Sequence, residues 1–137
     1  MDLLIDTNVI LDLVFKRPNY KKVVLLFRKI SEVGANSYIT ASATTDLFYI
    51  IRRQTHDIEK TYEIMSKIFK LVSIISVTTE DIENSFERRW KDFEDCVQYV
   101  TAYNNHMKYI ISSNTKDFEE KYLQVLTIDE FLKKIEG

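Results

Sequence analysis

Leu3-Leu4-Ile5-Asp6-Thr7-Asn8 opens the chain with a short apolar run that stops abruptly at an acid, a hydroxyl and an amide. An unbroken apolar run of this length reads as a strand buried on both faces, with polar groups gathered at its carboxyl end. Val9 to Phe15 reads as a helix broken near Pro18, whose ring cannot continue it. The same phrase returns later. Tyr109-Ile110-Ile111 is a strand-forming aromatic and β-branched run that ends in Ser112-Ser113-Asn114, and Val125-Leu126 precedes a short helix through Phe131 and Leu132.

Working outward, Val23, Val24, Phe27 and Ile30 fall at helical spacing from Tyr20, with Gly34 as the expected cap. Ile39 ends a short strand before a helix running from about Ala41 to Arg53. Ile58, Tyr62, Met65 and Phe69 form the expected apolar stripe of the next helix, and Val72, Ile74, Ile75 and Val77 a further strand. Ile82, Phe86 and Trp90 step by four, as on an amphipathic helix. Asp92 to His106 is helical, with Cys96, Tyr99, Val100 and Tyr103 on one stripe. Helices thus alternate with short apolar strands. The pattern predicts an α/β three-layer sandwich, a short parallel sheet with helices on both faces.

Composition sets the outer bounds. The chain has 137 residues, 45% hydrophobic and 29% charged, which predicts one domain over residues 1–137 with a core of its own. The lone Cys96 excludes an internal disulfide framework, cannot form a cysteine metal site alone, and suits a cytoplasmic protein. The apolar run at the N-terminus is too short for a signal peptide or a membrane span. His56 and His106 have no ligand partner at a recognisable spacing and read as structural or solvated. No Gly-rich phosphate loop or nucleophile elbow is present. A net charge of −2 argues mildly against nucleic acid held by bulk electrostatics.

In an open parallel sheet, sites form outside the carboxyl ends of the strands. Asp6 and Asn8 follow the first strand, and Asn114 and Asp117 follow the Tyr109–Ile111 strand. Asp95 stands at the start of a helix that runs antiparallel to the strand it leads into, so its amino end lies near that same edge. Asp46, near the start of its own helix, reaches the edge by the same logic. Each acid also has a structural reading. Asp6 can cap the next helix, Asp46 and Asp95 can complement a helix dipole, Asp117 can sit in a turn, and for Asp92 an N-cap is the preferred role. Gathered together, the carboxylates repel one another and call for a hard divalent cation with oxygen ligands.

The same residues carry a resemblance. Leu4-Ile5-Asp6-Thr7-Asn8-Val9-Ile10-Leu11-Asp12 resembles the opening strand and helix of the PIN-domain family, in which the first Asp is a metal ligand supported by the Asn. Asp92-Phe93-Glu94-Asp95-Cys96-Val97-Gln98-Tyr99 resembles the family's third acidic motif, with the second Asp as ligand. Tyr109 to Phe118 resembles the last motif, and Ile39 to Leu47 occupies the place of the second. Val125-Leu126-Thr127 with Glu130-Phe131-Leu132 resembles the family's closing strand and helix, so the resemblance, with its four motifs in order, runs from residue 3 to about 133.

The resemblance implies a PIN-like fold and a Mg²⁺- or Mn²⁺-dependent ribonuclease of the VapC-like toxin type. Its catalytic acids would be Asp6, Asp46, Asp95 and Asp117, with Asp6, Asp95 and Asp117 as metal ligands. Asn8, Asn114, Ser112 and Asp92 would support them, and either Asp117 or Asn114 would face the metal. RNA is the expected substrate, steered by Lys16, Arg17, Arg52 and Arg53, and an antitoxin protein and a homodimer are the expected partners. The metal would supply the positive charge that the composition lacks.

Two positions depart from the family pattern. Asp46 stands where Glu is common, one methylene shorter. Ser112-Ser113 stands where Thr-Arg is common, which removes a basic phosphate contact. The alternative reading is therefore a catalytically weakened PIN-like module that binds RNA or protein. Haloacid-dehalogenase-like phosphatases need a second Asp where this chain has Asn8, and receiver domains need an acidic pair that Thr7 breaks.

Overall fold

The computed structural model describes residues 1–136; Gly137, the last residue of the expected domain, lies outside the described residues. The strands are β1 (Asp2–Ile5), β2 (Asn36–Thr40), β3 (Ser73–Ile75), β4 (Tyr109–Ile111) and β5 (Gln124–Leu126). They form one sheet in the order β3-β2-β1-β4-β5, and every pairing is parallel. The helices are α1 (Thr7–Val14), α2 (Tyr20–Glu32), α3 (Ala41–Thr55), α4 (Ile58–Leu71), α5 (Thr79–Arg88), α6 (Phe93–Asn104) and α7 (Ile128–Glu136). The predicted parallel sheet with helices on both faces is the one observed.

Alternation along β1 splits the core in two. Leu3 and Ile5 point into one apolar cluster, with Val9, Leu26 and Phe131. Leu4, between them, points into the other, with Tyr99, Val100 and Phe118. That period of two is the reason a three-residue apolar run can serve both layers at once. Gly34 caps α2 as expected. Its φ of 69° lets the Gly34 N–H reach the Ser31 carbonyl at 3.2 Å and the Ala35 N–H reach that of Ile30 at 3.0 Å, the bonding of a Schellman turn.

Two amphipathic faces differ from expectation, although their helices form. On α4, Ile58, Tyr62 and Phe69 are exposed, and the buried residues are Thr61, Met65 and Ile68. On α5, Phe86 is 60% exposed and Ile82 40%, while Asp81 and Ser85 are buried. The helix stops at Arg88, Arg89 takes a left-handed cap, and Trp90 is buried from outside it. Local bonding is the physical reason. Asp81 closes a capping box with Thr78, accepts from Asn104 Nδ2 at 2.7 Å, and offers its carbonyl to the Ser85 hydroxyl at 2.7 Å. Once satisfied in this way, a polar face can be buried.

The strand order places the switch between the two winding directions at β1 and β4, the crevice where open α/β sheets take ligands. Ile5 pairs with Ile111, so the two strands end level. The Asp6 N–H donates to the Ile111 carbonyl at 2.9 Å, which sets Asp6 beside Ser112.

Candidate active site

Asp6 lies at the floor of this crevice, 4% exposed. It occupies the N-cap position of α1, yet its side chain makes no capping bond. Instead Ser112 Oγ donates to Oδ2 at 2.8 Å and Gln98 Nε2 donates to Oδ1 at 3.1 Å. Ser112 Oγ in turn accepts the Asn114 N–H at 3.0 Å, so the hydroxyl is fixed from both sides. Burial pushes the Asp6 carboxyl up from the usual carboxylate range, against the pull of the Ser112 and Gln98 bonds.

The amino end of α6 forms the wall. Asp92 caps the helix by accepting the Asp95 N–H at 3.0 Å, and Glu94 and Asp95 occupy the first turn. Across the crevice a short 3₁₀ turn (Thr115–Asp117) carries Asp117, whose Oδ2 accepts from Asn114 Nδ2 at 2.7 Å. Asp92, Asp95 and Asp117 each present an oxygen, and these oxygens lie within 4.8 Å of one another. Burial, and then the charges of Asp6, Asp92 and Asp117, push the Asp95 carboxyl up to about 8. Glu94 is likewise pushed up to about 8, by burial first and then by Asp46, Asp6, Asp95 and Asp92.

A cleft of about 270 Å³ opens over these groups, with Asp46, Tyr49 and Arg53 of α3 on its far side and Thr7 and Asn8 at the start of α1. The donor set is made of carboxylate oxygens, and burial together with neighbouring charge lets Glu94 and Asp95 hold protons near neutrality. That is the environment a hard divalent cation relieves and a soft one does not match.

Of the expected residues, Asp46, Asp95 and Asp117 line the cleft, and Asp6 lies beneath it, coupled by charge to Asp95 and Glu94. Asp46 stands in the second turn of α3, clear of the first-turn dipole position. The cation-sized gathering of oxygens contains Asp92, expected only as a support, and does not contain Asp6. Asn8 lines the cleft, but Ser112 and Gln98 hold Asp6 in its stead. Asn114 orients Asp117, which presents the oxygen.

Among the basic residues, Arg53 lines the cleft, and with Arg52 it lines the adjoining hollow beside Tyr49 and His56. Lys16 and Arg17 line neither. Arg17 turns to Asp12 at 3.5 Å, and Lys16 lies over the Tyr20 ring. Both histidines hold left-handed backbone positions after helices, with φ of 54° at His56 and 57° at His106. Glu94 and Gln98 were not singled out from the sequence. Their i,i+4 spacing on α6, beside Asp95, is the signal that marks them.

A family model described as the PIN domain matches residues 2–116. Ribonuclease VapC1 of Aquifex aeolicus (strain VF5) is 27% identical over 136 residues, covering 95% of this chain and 92% of that protein. The solved structure of VapBC-1 from nontypeable Haemophilus influenzae superposes with a TM-score of 0.72 at 18% identity, covering 94% of this chain and 99% of that one. A toxin–antitoxin complex from Klebsiella pneumoniae superposes with a TM-score of 0.67 at 22% identity, covering 92% and 97%. At these identities the two structures speak to the fold.

Proposed function

The chain belongs to the PIN-domain family, and from that premise we propose that it is a metal-dependent ribonuclease acting as the toxin of a toxin–antitoxin pair. The observation that carries the reading is the meeting of Asp92, Asp95 and Asp117 oxygens at the strand edge where the buried Asp6 follows β1. Mg²⁺ or Mn²⁺ fits that donor set; Asp95 and Asp117 would hold it, with Asp92 beside them and Asp6 contributing charge. When bound, such an ion neutralises the scissile phosphate and acidifies water near neutral pH, which phosphodiester hydrolysis requires.

The chain's own residues do the rest. Ser112 and Gln98 keep Asp6 from turning, Asn114 keeps Asp117 aimed inward, and the cap made by Asp92 holds the first turn of α6 against the cleft. Arg53 and Arg52 offer positive charge to an RNA backbone leaving the cleft along α3, and Tyr49, 59% exposed, offers a ring on which a base can stack. No helix among the described residues is long and apolar enough to cross a membrane. We assign the protein to the cytoplasm, with an antitoxin and a second copy of the chain as its partners.

The test is cleavage of total cellular RNA, including structured transfer and ribosomal species, by purified protein with Mg²⁺ or Mn²⁺. EDTA should stop it. Asp95→Asn should lower cleavage by two orders of magnitude or more, on the order of the ~3 kcal/mol that loss of one electrostatic group costs a transition state, while its melting temperature holds or rises. A folded Asp95→Asn protein that cuts at the wild-type rate would remove Asp95 from the mechanism. Wild type that binds metal and cuts nothing favours the binding-module reading.

A further inference from the structure

Gln98 is 1% exposed, and its side-chain amide lies against the acids of the cleft. Nε2 donates to Asp6 Oδ1 at 3.1 Å and to Glu94 Oε1 at 3.0 Å, while Oε1 finds no partner. An amide offers two N–H groups on that nitrogen. Here both go to carboxylates of one cluster, one of them 92 residues away in sequence. The carbonyl is left orphaned, although a buried acceptor ordinarily has a partner. A glutamine serving only as an i,i+4 helix tie to Glu94 would have no need to be buried or to reach Asp6.

The amide is neutral, so it orients the two carboxyls without supplying charge. Arg53 lines the cleft, yet it makes no ion pair with any acid among the described residues. No basic side chain among the described residues pairs with Glu94 or Asp6. Glu94 lines the cleft with Asp46, Asp92, Asp95 and Asp117. A glutamate there also has the longer reach that Asp46 lacks.

We propose that Glu94 is a metal-facing acid of this cleft and that Gln98 is its positioning residue, holding Glu94 and Asp6 as a pair across α6 and β1. The proposal rests on the metal-dependent reading above and assigns within it which carboxylate does what a longer acid on α3 would otherwise do.

Mn²⁺ affinity, measured by calorimetric titration and by the metal-dependent rise in melting temperature, tests it on the full chain. The variants are Glu94→Gln, Gln98→Met, Gln98→Asn and Asp46→Asn, each checked for folding by circular dichroism. Glu94→Gln should weaken Mn²⁺ binding about tenfold or more. Gln98→Met, which removes both donors at similar volume, should weaken it about 10- to 100-fold, the range for residues that orient a ligand. Gln98→Asn keeps the amide but withdraws it by one methylene; it should also bind more weakly, and it decides the matter if Gln98→Met does not fold. Asp46→Asn should change affinity less than Glu94→Gln does. Glu94→Gln binding Mn²⁺ as wild type does overturns the role of Glu94, whatever happens to cleavage. Gln98 variants that fold and bind normally overturn the role of Gln98. Wild type that binds no Mn²⁺ sinks the metal-dependent reading itself, an outcome distinct from either.

Discussion

Ser112 shows how much one hydroxyl carries at this site. It donates to the buried Asp6 carboxylate and accepts the Asn114 N–H, so it joins the end of β4 both to the floor acid and to the turn that carries Asp117. Ser112→Ala strands a buried carboxylate oxygen and an N–H together. Leaving such groups unpaired costs about 1–3 kcal/mol, so the melting temperature should fall by several degrees in chemical or thermal unfolding of the metal-free protein. The neighbouring Ser113→Ala is the control. Its exposed hydroxyl donates to Asp12 at 3.2 Å, away from the cleft, and its loss should leave cleavage unchanged. Equal loss of activity in both variants would mean that the Ser112 bond to Asp6 does nothing special.

At the scale of elements, α5 inverts the usual rule that the apolar stripe faces inward. Its buried face is Asp81 and Ser85, and its outward face is Ile82 and Phe86. Phe86→Ser should therefore change the stability of the isolated chain by no more than about 0.5 kcal/mol, as surface substitutions do. Asp81→Ala removes the capping box and the acceptor for Asn104, and should cost about 1–3 kcal/mol. Denaturant unfolding of the two variants checks this directly. A larger loss for Phe86→Ser than for Asp81→Ala would put the apolar stripe back in the core. The start of α6 follows a related logic, since Asp92 caps the helix while Glu94 and Asp95 crowd its first turn. The dipole there favours negative charge, which helps two acids bear close neighbours on the cleft side.

For the molecule as a whole, the crowded edge ties stability to pH with a definite sign. Glu94 and Asp95 are both pushed up to about 8, and Asp6 is raised as well. In the unfolded chain the same carboxyls titrate near about 4. Between those limits the folded state holds more protons, so stability falls as pH rises. Glu120 and Glu130, shifted downward, act in the opposite sense, and only below the usual carboxylate range. Metal-free protein should thus melt progressively lower from pH 5 to about pH 8. Saturating Mn²⁺ should flatten or reverse that slope, because the ion replaces the protons the cluster would otherwise hold. Scanning calorimetry in EDTA and in Mn²⁺ reads both limbs. A metal-free protein that becomes more stable from pH 5 to 8 would show that burial and neighbouring charge do not hold protons on Asp6, Glu94 and Asp95 in the folded state.

The amino-acid sequence alone determined the alternation of short apolar strands with helices, and with it the parallel sheet and the edge at which a site forms. Those are consequences of period and chain direction, properties that neighbouring residues settle among themselves. Asp6 at the end of one strand and Asp95 at the start of an antiparallel helix were legible for the same reason. Tertiary structure alone decided which acids share one set of oxygens. Asp92 joins Asp95 and Asp117, while Asp6 is held by Ser112 and Gln98. It also decided that Gln98 bridges Glu94 to an acid 92 positions earlier, that Arg53 rather than Arg17 faces the cleft, and that α5 buries Asp81. Each of these turns on where a side chain finds its partner, and a polar group is buried or exposed according to whether the packed chain brings it one.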